Sequence, residues 1–433
     1  MANAQAQAKN SAKSNFGAKG WVIIILSFLC IMLQSSLIND SMNVVIEVFD
    51  STRGWSQDTI RMFSSICSIL SVFGAAIWGG LSSKRTVRLS WTCSLLVTAI
   101  ACFVWANVSS LAVFFVCLAV SSIGGMGFAY IANLNVISNW FPKKKGLAMG
   151  WVTIGFPLSA AVSANLVGTL VGMGHGDVQY VYYFYAVMAV IMAILVFALV
   201  RDYPEQMNAY PDNDSNTNSE EQQKKLAAGL EYMKTSSWTV KKMLSTPLTW
   251  KMGFSLGVME LLSLGIMTNF VPRCIQTFGP EEGYGIAIRM LAIAGICACV
   301  GSYACGVVDA KAGPKKAIIV TLIAGIIAIL LNITNIVPVM YISLIFLAFM
   351  LGGASNYLVS LTNTIWGRYD FPLAYKVLKP IVAIIGALGI SVVGIIGQNV
   401  SYRVSYGVLA VLAVLSMLVI FTVSEDRIGR EDD

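Results

Sequence analysis

Twelve stretches of this chain are apolar over about 20 residues, the length an α-helix needs to cross roughly 30 Å of hydrocarbon. No other feature restricts the possible folds as strongly. They lie near 20–46, 59–82, 88–107, 109–138, 146–172, 180–200, 250–273, 286–308, 316–333, 337–366, 373–400 and 404–424. Inside a bilayer every backbone N–H and C=O must find a partner within the chain, so segments of this kind are helices. A composition with 57% hydrophobic and 12% charged residues is too apolar for a soluble protein of 433 residues. The expected class is an all-α membrane protein with twelve transmembrane helices.

The pattern occurs twice. Gly124-Gly125 returns 228 positions later as Gly352-Gly353, Gly79 returns 227 later at Gly306, Arg88 227 later at Lys315, and Trp21 229 later at Trp250. A nearly constant offset over half a chain marks a duplicated unit. The expected domains are a six-helix bundle over 1–200, a polar linker over 201–249, and a second, pseudo-symmetric bundle over 250–433. Two apolar halves joined in this way describe a secondary transporter.

Basic residues set the expected orientation. Lys9, Lys13 and Lys19 precede the first span, and Lys84, Arg85, Arg88, Lys143 to Lys145, Lys311, Lys315, Lys316 and Arg368 occupy the even-numbered connections. The intervening connections carry Asn107, His175, Asp177, Glu281 and Asn332 instead. Both termini and the linker are therefore expected on the cytoplasmic side of a cell membrane. This bias accounts for the net charge of +7, so no nucleic-acid partner is implied. The basic start followed by an apolar run imitates a signal peptide, but the run is too long and lacks a small-residue cleavage site, so an uncleaved first helix is expected.

Enzymatic readings find little support. All nine cysteines except Cys274 fall inside predicted spans, where a thiol behaves as a small apolar group. Cys297 and Cys299 point to nearly opposite sides of a helix and cannot clasp one ion. The one histidine, His175, sits in a connection. No nucleophile motif, phosphate-binding loop or dinucleotide fingerprint is present. No metal, no cofactor and no partner subunit are called for, and a monomer suffices.

The first half of the linker is rich in Asn and Ser and is expected to be mobile. Residues 220–235 suit a short surface helix with Glu221 and Lys225 one turn apart. Within the spans, polar residues are costly and mark a path or a partner. Ser36, Asp40, Asn43 and Glu47 step by four, three and four, which places them on one helical face. Glu260 sits near the middle of the seventh span among Val258, Met259, Leu261 and Leu262. An isolated buried carboxylate becomes neutral unless paired, so Glu260, with Asp40, is a candidate for proton coupling. A hydrogen bond to a neighbouring helix is the competing use. Tyr130, Asn133 and Asn135 in the fourth span and Asn356, Ser360 and Asn363 in the tenth are candidate substrate contacts, with helix–helix hydrogen bonding equally open to them.

Several motifs together resemble the major facilitator superfamily, and within it the oxalate/formate antiporter and monocarboxylate porter-like branch. One is Asn139-Trp140-Phe141-Pro142-Lys143-Lys144-Lys145-Gly146-Leu147-Ala148-Met149-Gly150, between spans four and five. Others are Gly54-Trp55-Ser56, Tyr203-Pro204-Glu205 and Thr246-Pro247-Leu248-Thr249-Trp250. The superfamily's loop between spans two and three is present in altered form, with Gly79, Lys84 and Arg88, Ser83 in place of the usual Asp, and Thr86 in place of Gly. Its second copy keeps Gly306, Asp309, Lys311 and Lys315. These two loops are candidate cytoplasmic gating elements; plain topology signals are the competing reading for each basic residue. The resemblance covers nearly the whole chain and implies the major facilitator fold.

It also implies a role for Lys379. In the resembling branch a lysine in span eleven, followed by a glycine-rich run, binds the substrate carboxylate, and Lys379 with Gly386 and Gly389 matches that position; snorkelling of Lys379 to the cytoplasmic surface is the competing reading. The branch's dicarboxylate binder also has an arginine in span eight, where this chain has Ser302, with only Arg289 and Arg273 nearby in sequence. One cation suits a monocarboxylate better than oxalate. The combined expectation is a transporter that rocks between two access states and carries a small organic anion with a proton or against a counter-anion. A proton-driven exporter of cationic or amphipathic compounds, and a membrane sensor that transports nothing, are the alternatives.

Overall fold

The computed structural model describes residues 15–214 and 219–430, apart from the side chains of Asn43, Asp58 and Ser219. Lys9, Lys13 and the side chain of Asn43 lie outside the described residues. The described chain is helical throughout, with no strand. Ten helices are long and apolar enough to cross a membrane, and the pair Pro247–Thr268 and Phe270–Phe278, bent by 47°, adds an eleventh span. The element Val337–Asn399 has 63 residues, which as one straight helix would measure about 95 Å, far more than a bilayer. It breaks at Gly367, where φ is 73° and ψ is 177°. Its two arms are separate spans, and the expected twelve are present. Large apolar side chains such as Ile100, Ile296, Val300 and Val411 stay exposed on the helix surfaces, as lipid contact requires. This is a multi-pass membrane protein.

The helices group into two compact units, one of residues 16–140 and 155–226, the other of Asn15, 141–154 and 227–430. The start of the fifth span thus packs with the second group, although it follows the fourth span in sequence.

In the first unit, the third and sixth spans, Val87–Ala106 and Gln179–Leu199, pack along their lengths. Trp105 stacks on Tyr182 at 4.2 Å, beside Phe49, Phe114 and Trp55. Arg53 lies over Phe49 and Trp55, donates to the Val108 carbonyl, and meets Asp177 at 3.2 Å. The first half of the linker, expected to be mobile, is folded against this unit. Asp202 accepts from the Val87 and Arg88 amides at 2.8 and 2.7 Å, satisfying orphan donors at the start of the third span. Burial pushes the Asp202 carboxyl up from its usual range, against the downward pull of those amides and of Arg88 and Arg201. Trp140 and Asn139 donate to the Arg201 and Asp202 carbonyls, and Lys19 to that of Met207. These contacts hold in place what composition alone reads as loose. The expected surface helix spans Ser219–Thr235, with Lys225 and Glu221 3.1 Å apart.

In the second unit, the seventh span lies parallel to the arm of Val337–Asn399 beyond Gly367, the eleventh span. Gly253 faces Ile381, Gly257 faces Ile385, Leu261 faces Gly389 and Gly265 faces Val393. Each pair is 128 positions apart and each successive pair one helical turn on. At three levels a glycine of the seventh span meets a branched side chain of the eleventh; at the remaining one Gly389 lies directly on the Leu261 backbone. Association in lipid depends on close packing rather than on burial from water, and alternating small with large residues provides it.

Two further anchors close this unit. Arg273, buried at the end of the seventh span, donates to the Asn332 side chain at 2.8 Å, to the Asn332 carbonyl and to Asn335 at 2.9 Å, and lies 4.2 Å over the Tyr406 ring. It caps the C-terminus of Pro314–Ile333. Lys315 does the same for the last span, its ammonium donating to the Phe421 and Val423 carbonyls at 3.0 and 2.6 Å while its amide donates to Glu425.

Candidate substrate and coupling site

Glu260, singled out by its position within an apolar span, and Lys379, singled out by the family resemblance, meet. The Lys379 ammonium lies 3.4 Å from each Glu260 carboxylate oxygen. The Lys379 side chain is 6% exposed and that of Glu260 22%. The register of the seventh and eleventh spans sets this meeting. Gly386 is two turns beyond Lys379 on the same face, and a Cβ there would stand 2.8 Å from the Glu260 Cγ. The notch left by this glycine is where the glutamate stem lies. Glu260 is therefore not an isolated carboxylate. At 3.4 Å the pair is longer than a tight charge-assisted hydrogen bond of about 2.8 Å, so the contact is mainly Coulombic.

Among the described residues the buried cations are Lys379, Arg273 and Arg368. Arg273 is committed to Asn332 and Asn335, and Arg289 is exposed. Lys379 is the buried cation in the interior of a span. Among the described residues no group of three or more His, Cys, Asp or Glu side chains could hold a metal ion.

Position 302 is closed. The Ser302 hydroxyl is 2.5 Å from that of Thr153 and donates to the Gly150 carbonyl at 2.9 Å, while Thr153 donates to the Asn356 amide oxygen at 2.7 Å. Asn356 returns a bond to the Ser302 carbonyl at 3.3 Å. All three side chains are buried. Around them Gly150 and Gly306 are in backbone contact, and Gly352 lies on the Ser302 amide. Asn356 joins a helix–helix network here, one of the two uses open to it. Thr153 carries no signal of its own in the sequence. The spacing of Gly146 with Gly150, opposite Ser302 and Gly306, is the pattern that marks this contact.

Ser360 and Asn363 are also buried on the tenth span, and neither amide atom of Asn363 is hydrogen-bonded. Asn133 is buried on the fourth span and donates to the Ser27 and Ala129 carbonyls at 3.1 and 3.3 Å. Tyr130 is half-buried, its ring 6.2 Å from that of Phe156.

Asp40 belongs to a separate network in the first unit. The backbone around it is a π-helical turn, Ser36–Asp40, so the expected stripe does not keep α-helical spacing from Ser36 to Glu47. Ser159 donates to Asp40 at 2.5 Å and Ser35 to the same oxygen at 3.0 Å. Ser159 is 3.2 Å from Ser163, Ser163 donates to Ser36 at 2.7 Å, and Ser36 is 2.6 Å from the Tyr185 hydroxyl. A continuous chain of hydroxyls thus leads from a half-buried carboxylate to a buried phenol. Ser159, Ser163 and Tyr185 were not candidates from sequence, because serines in membrane helices commonly bond their own backbone. Glu47 is exposed.

Of the candidate gating residues, Asp309 is buried against Gly146, where any side chain would run into its carboxylate. Lys315 caps the last span as described. Lys84 and Lys311 are exposed, and the Arg88 guanidinium lies 5.0 Å over the Phe197 ring.

Comparison with known proteins bears on the family and the fold. The sequence pattern of the Major Facilitator Superfamily matches residues 21–369. An oxalate:formate antiporter of Oxalobacter formigenes is 25% identical over 297 residues, 65% of this chain and 63% of its own length, so the match spans less than two thirds of that relative. Among solved structures, the human organic anion transporter MFSD10 (TETRAN) superposes with a TM-score of 0.68 at 15% identity, over 95% of this chain and 99% of its own. The proton:xylose symporter XylE superposes at 0.72 and 14% identity, over 95% and 97%. At these identities the two structures speak for the fold alone.

Proposed function

The chain belongs to the Major Facilitator Superfamily, and from that premise we propose that this transporter carries a small organic anion, a monocarboxylate, by alternating access across the cytoplasmic membrane, its termini and linker on the cytoplasmic side. The observation that carries the reading is the Glu260–Lys379 pair. A lysine in the interior of a membrane span is costly to insert and is retained where it has an anion to hold. In the empty carrier that anion is Glu260. When a proton neutralises Glu260, Lys379 is left to a substrate carboxylate, and proton and anion cross together with no net charge added to the site. Exchange of one carboxylate for another uses the same lysine. The similarity to an oxalate:formate antiporter supports a carboxylate cargo.

A single carboxylate is favoured over oxalate because, among the described residues, the other buried cations are Arg273 and Arg368, and Arg368 adjoins the break at Gly367, about three turns before Lys379. Position 302 is filled by a serine in a closed network, and Arg273 is fully engaged elsewhere. Tyr130, Asn133, Asn356, Ser360 and Asn363 remain the proposed contacts for the rest of the substrate, and Asp40 a second proton site. Lys84, Arg88, Asp309, Lys311 and Lys315 are the proposed cytoplasmic gating elements.

Uptake into proteoliposomes tests this. Formate, lactate, pyruvate, oxalate and a larger aromatic acid are offered to wild type and Lys379→Ala, with and without an inward proton gradient. The expected result is accumulation of a monocarboxylate, stimulated by the gradient and abolished in Lys379→Ala. Transport that survives Lys379→Ala, or none of any anion, removes the proposal and turns attention to cation export through Glu260 and Asp40.

A further inference from the structure

The partner of Lys379 is carried on the same compact unit as Lys379 itself. Glu260 and Lys379 stand on two helices held in one register by four successive close contacts, Gly253 with Ile381, Gly257 with Ile385, Gly389 with the Leu261 backbone and Gly265 with Val393. Neither helix can slide past the other without driving a side chain into backbone. The two charges therefore keep their relation whatever the rest of the molecule does.

This has a consequence for the empty carrier. A cation stripped of its counter-charge in a membrane interior carries a large penalty. A carrier whose binding lysine has no partner of its own can change access only when loaded, and so performs strict exchange. Here both Glu260 oxygens stand 3.4 Å from the Lys379 ammonium, close enough to neutralise it and too far for a tight hydrogen bond. The other charged residues of the seventh span and of the eleventh beyond Asp370 are Lys251 and Lys376, and the last span, packed on both, adds an exposed Arg403. None of these supplies a negative charge.

We infer that Glu260 is a tethered stand-in for the substrate's carboxylate, which lets the empty carrier return and makes this protein capable of net transport rather than obligatory exchange. The inference rests on the proposed function, since it presumes that Lys379 binds a carboxylate. Glu260 here decides between net flux and exchange, and removing its charge while keeping its shape converts one into the other.

The test compares wild type, Glu260→Gln and Glu260→Asp with radiolabelled formate and lactate in two assays. One measures net uptake into empty proteoliposomes, the other uptake into proteoliposomes preloaded with the same unlabelled anion. Wild type is expected to work in both. Glu260→Gln is expected to lose net uptake by about 100-fold or more, the size of effect that removing one member of a buried ion pair imposes, while exchange persists within about tenfold of wild type. Glu260→Asp, which keeps the charge, is expected to recover net uptake at least in part. Undiminished net uptake by Glu260→Gln overturns the inference. So does loss of both activities by a Glu260→Gln protein that elutes as a single folded species. Wild type that only exchanges overturns it with no variant needed. Wild type that moves no carboxylate in either assay removes the proposed function itself, a different result.

Discussion

Gly389 of the eleventh span lies directly on the backbone of Leu261 in the seventh, with no space for a side chain between the two helices. One turn earlier on each helix Gly257 lies on Ile385, with a would-be Cβ 2.7 Å from the isoleucine Cβ. The register that brings Glu260 to Lys379 is thus written in side-chain volume. Gly257→Val is expected to destabilise the purified transporter by about 1–3 kcal/mol, the usual cost of overpacking. Ile385→Ala in the same chain should recover part of that loss. Thermal unfolding in detergent of both single variants and the double variant checks this; additive losses would mean that the two residues do not share a level.

Arg273 is bonded to Asn332 and Asn335 at the end of Pro314–Ile333 and lies over a ring of the last span. Arg273→Ala leaves the buried Asn332 carbonyl and amide oxygen without a donor, so a loss of about 2–4 kcal/mol is expected. Arg273→Lys should recover little, because an ammonium cannot reproduce the fork of the guanidinium. Transport per folded molecule should be close to wild type in both. A change in substrate affinity at unchanged stability would contradict the structural role.

How much of this is legible in the sequence depends on the range of the interaction. The twelve spans are, because twenty apolar residues in a row have one physical outcome in a bilayer. Glu260 and Lys379 are each legible as charges in apolar surroundings, and Gly386 as part of a glycine-rich run. Their meeting is not, since 119 positions separate them and only the matched sizes along two helices bring them together. The clasp of Ser302 with Thr153 is hidden for a similar reason. Hydroxyl side chains read as ordinary small residues until a second helix supplies the partner. The π-helical turn at Ser36–Asp40 is a local departure of the backbone that a regular helical spacing cannot show.

The hydroxyl chain from Asp40 to Tyr185 makes a separate claim on the proton. Asp40→Asn preserves an acceptor for Ser35 and Ser159 and should leave the fold within about 1 kcal/mol of wild type. If Asp40 shares in coupling, the variant loses stimulation by a proton gradient yet still exchanges anions. Tyr185→Phe removes the far end of the chain, and should cost about 1 kcal/mol without altering coupling. Uptake measured against an imposed gradient separates the two. Full stimulation in Asp40→Asn would leave Glu260 as the proton site.

Ser302→Arg asks whether a second cation can be restored where the dicarboxylate-binding pattern has one. The hydroxyl at 302 is within bonding distance of Thr153 and of the Gly150 carbonyl, and the Ser302 backbone lies against Gly352. A guanidinium here meets glycine backbone on two sides, and the side chains bonded to Thr153 and Asn356 include no carboxylate. Burying it unpaired, and overfilling a site packed at backbone distance, should cost more than about 3 kcal/mol. The expected outcome is a poorly folded protein with no gain in oxalate uptake, and Ser302→Ala, by comparison, a loss of only about 1–2 kcal/mol with substrate preference unchanged. Size-exclusion behaviour and paired uptake of oxalate and formate check both variants. A well-folded Ser302→Arg carrier that takes up oxalate would show that position 302 opens onto the substrate, and that the network around it is a closed state rather than a fixed part of the core.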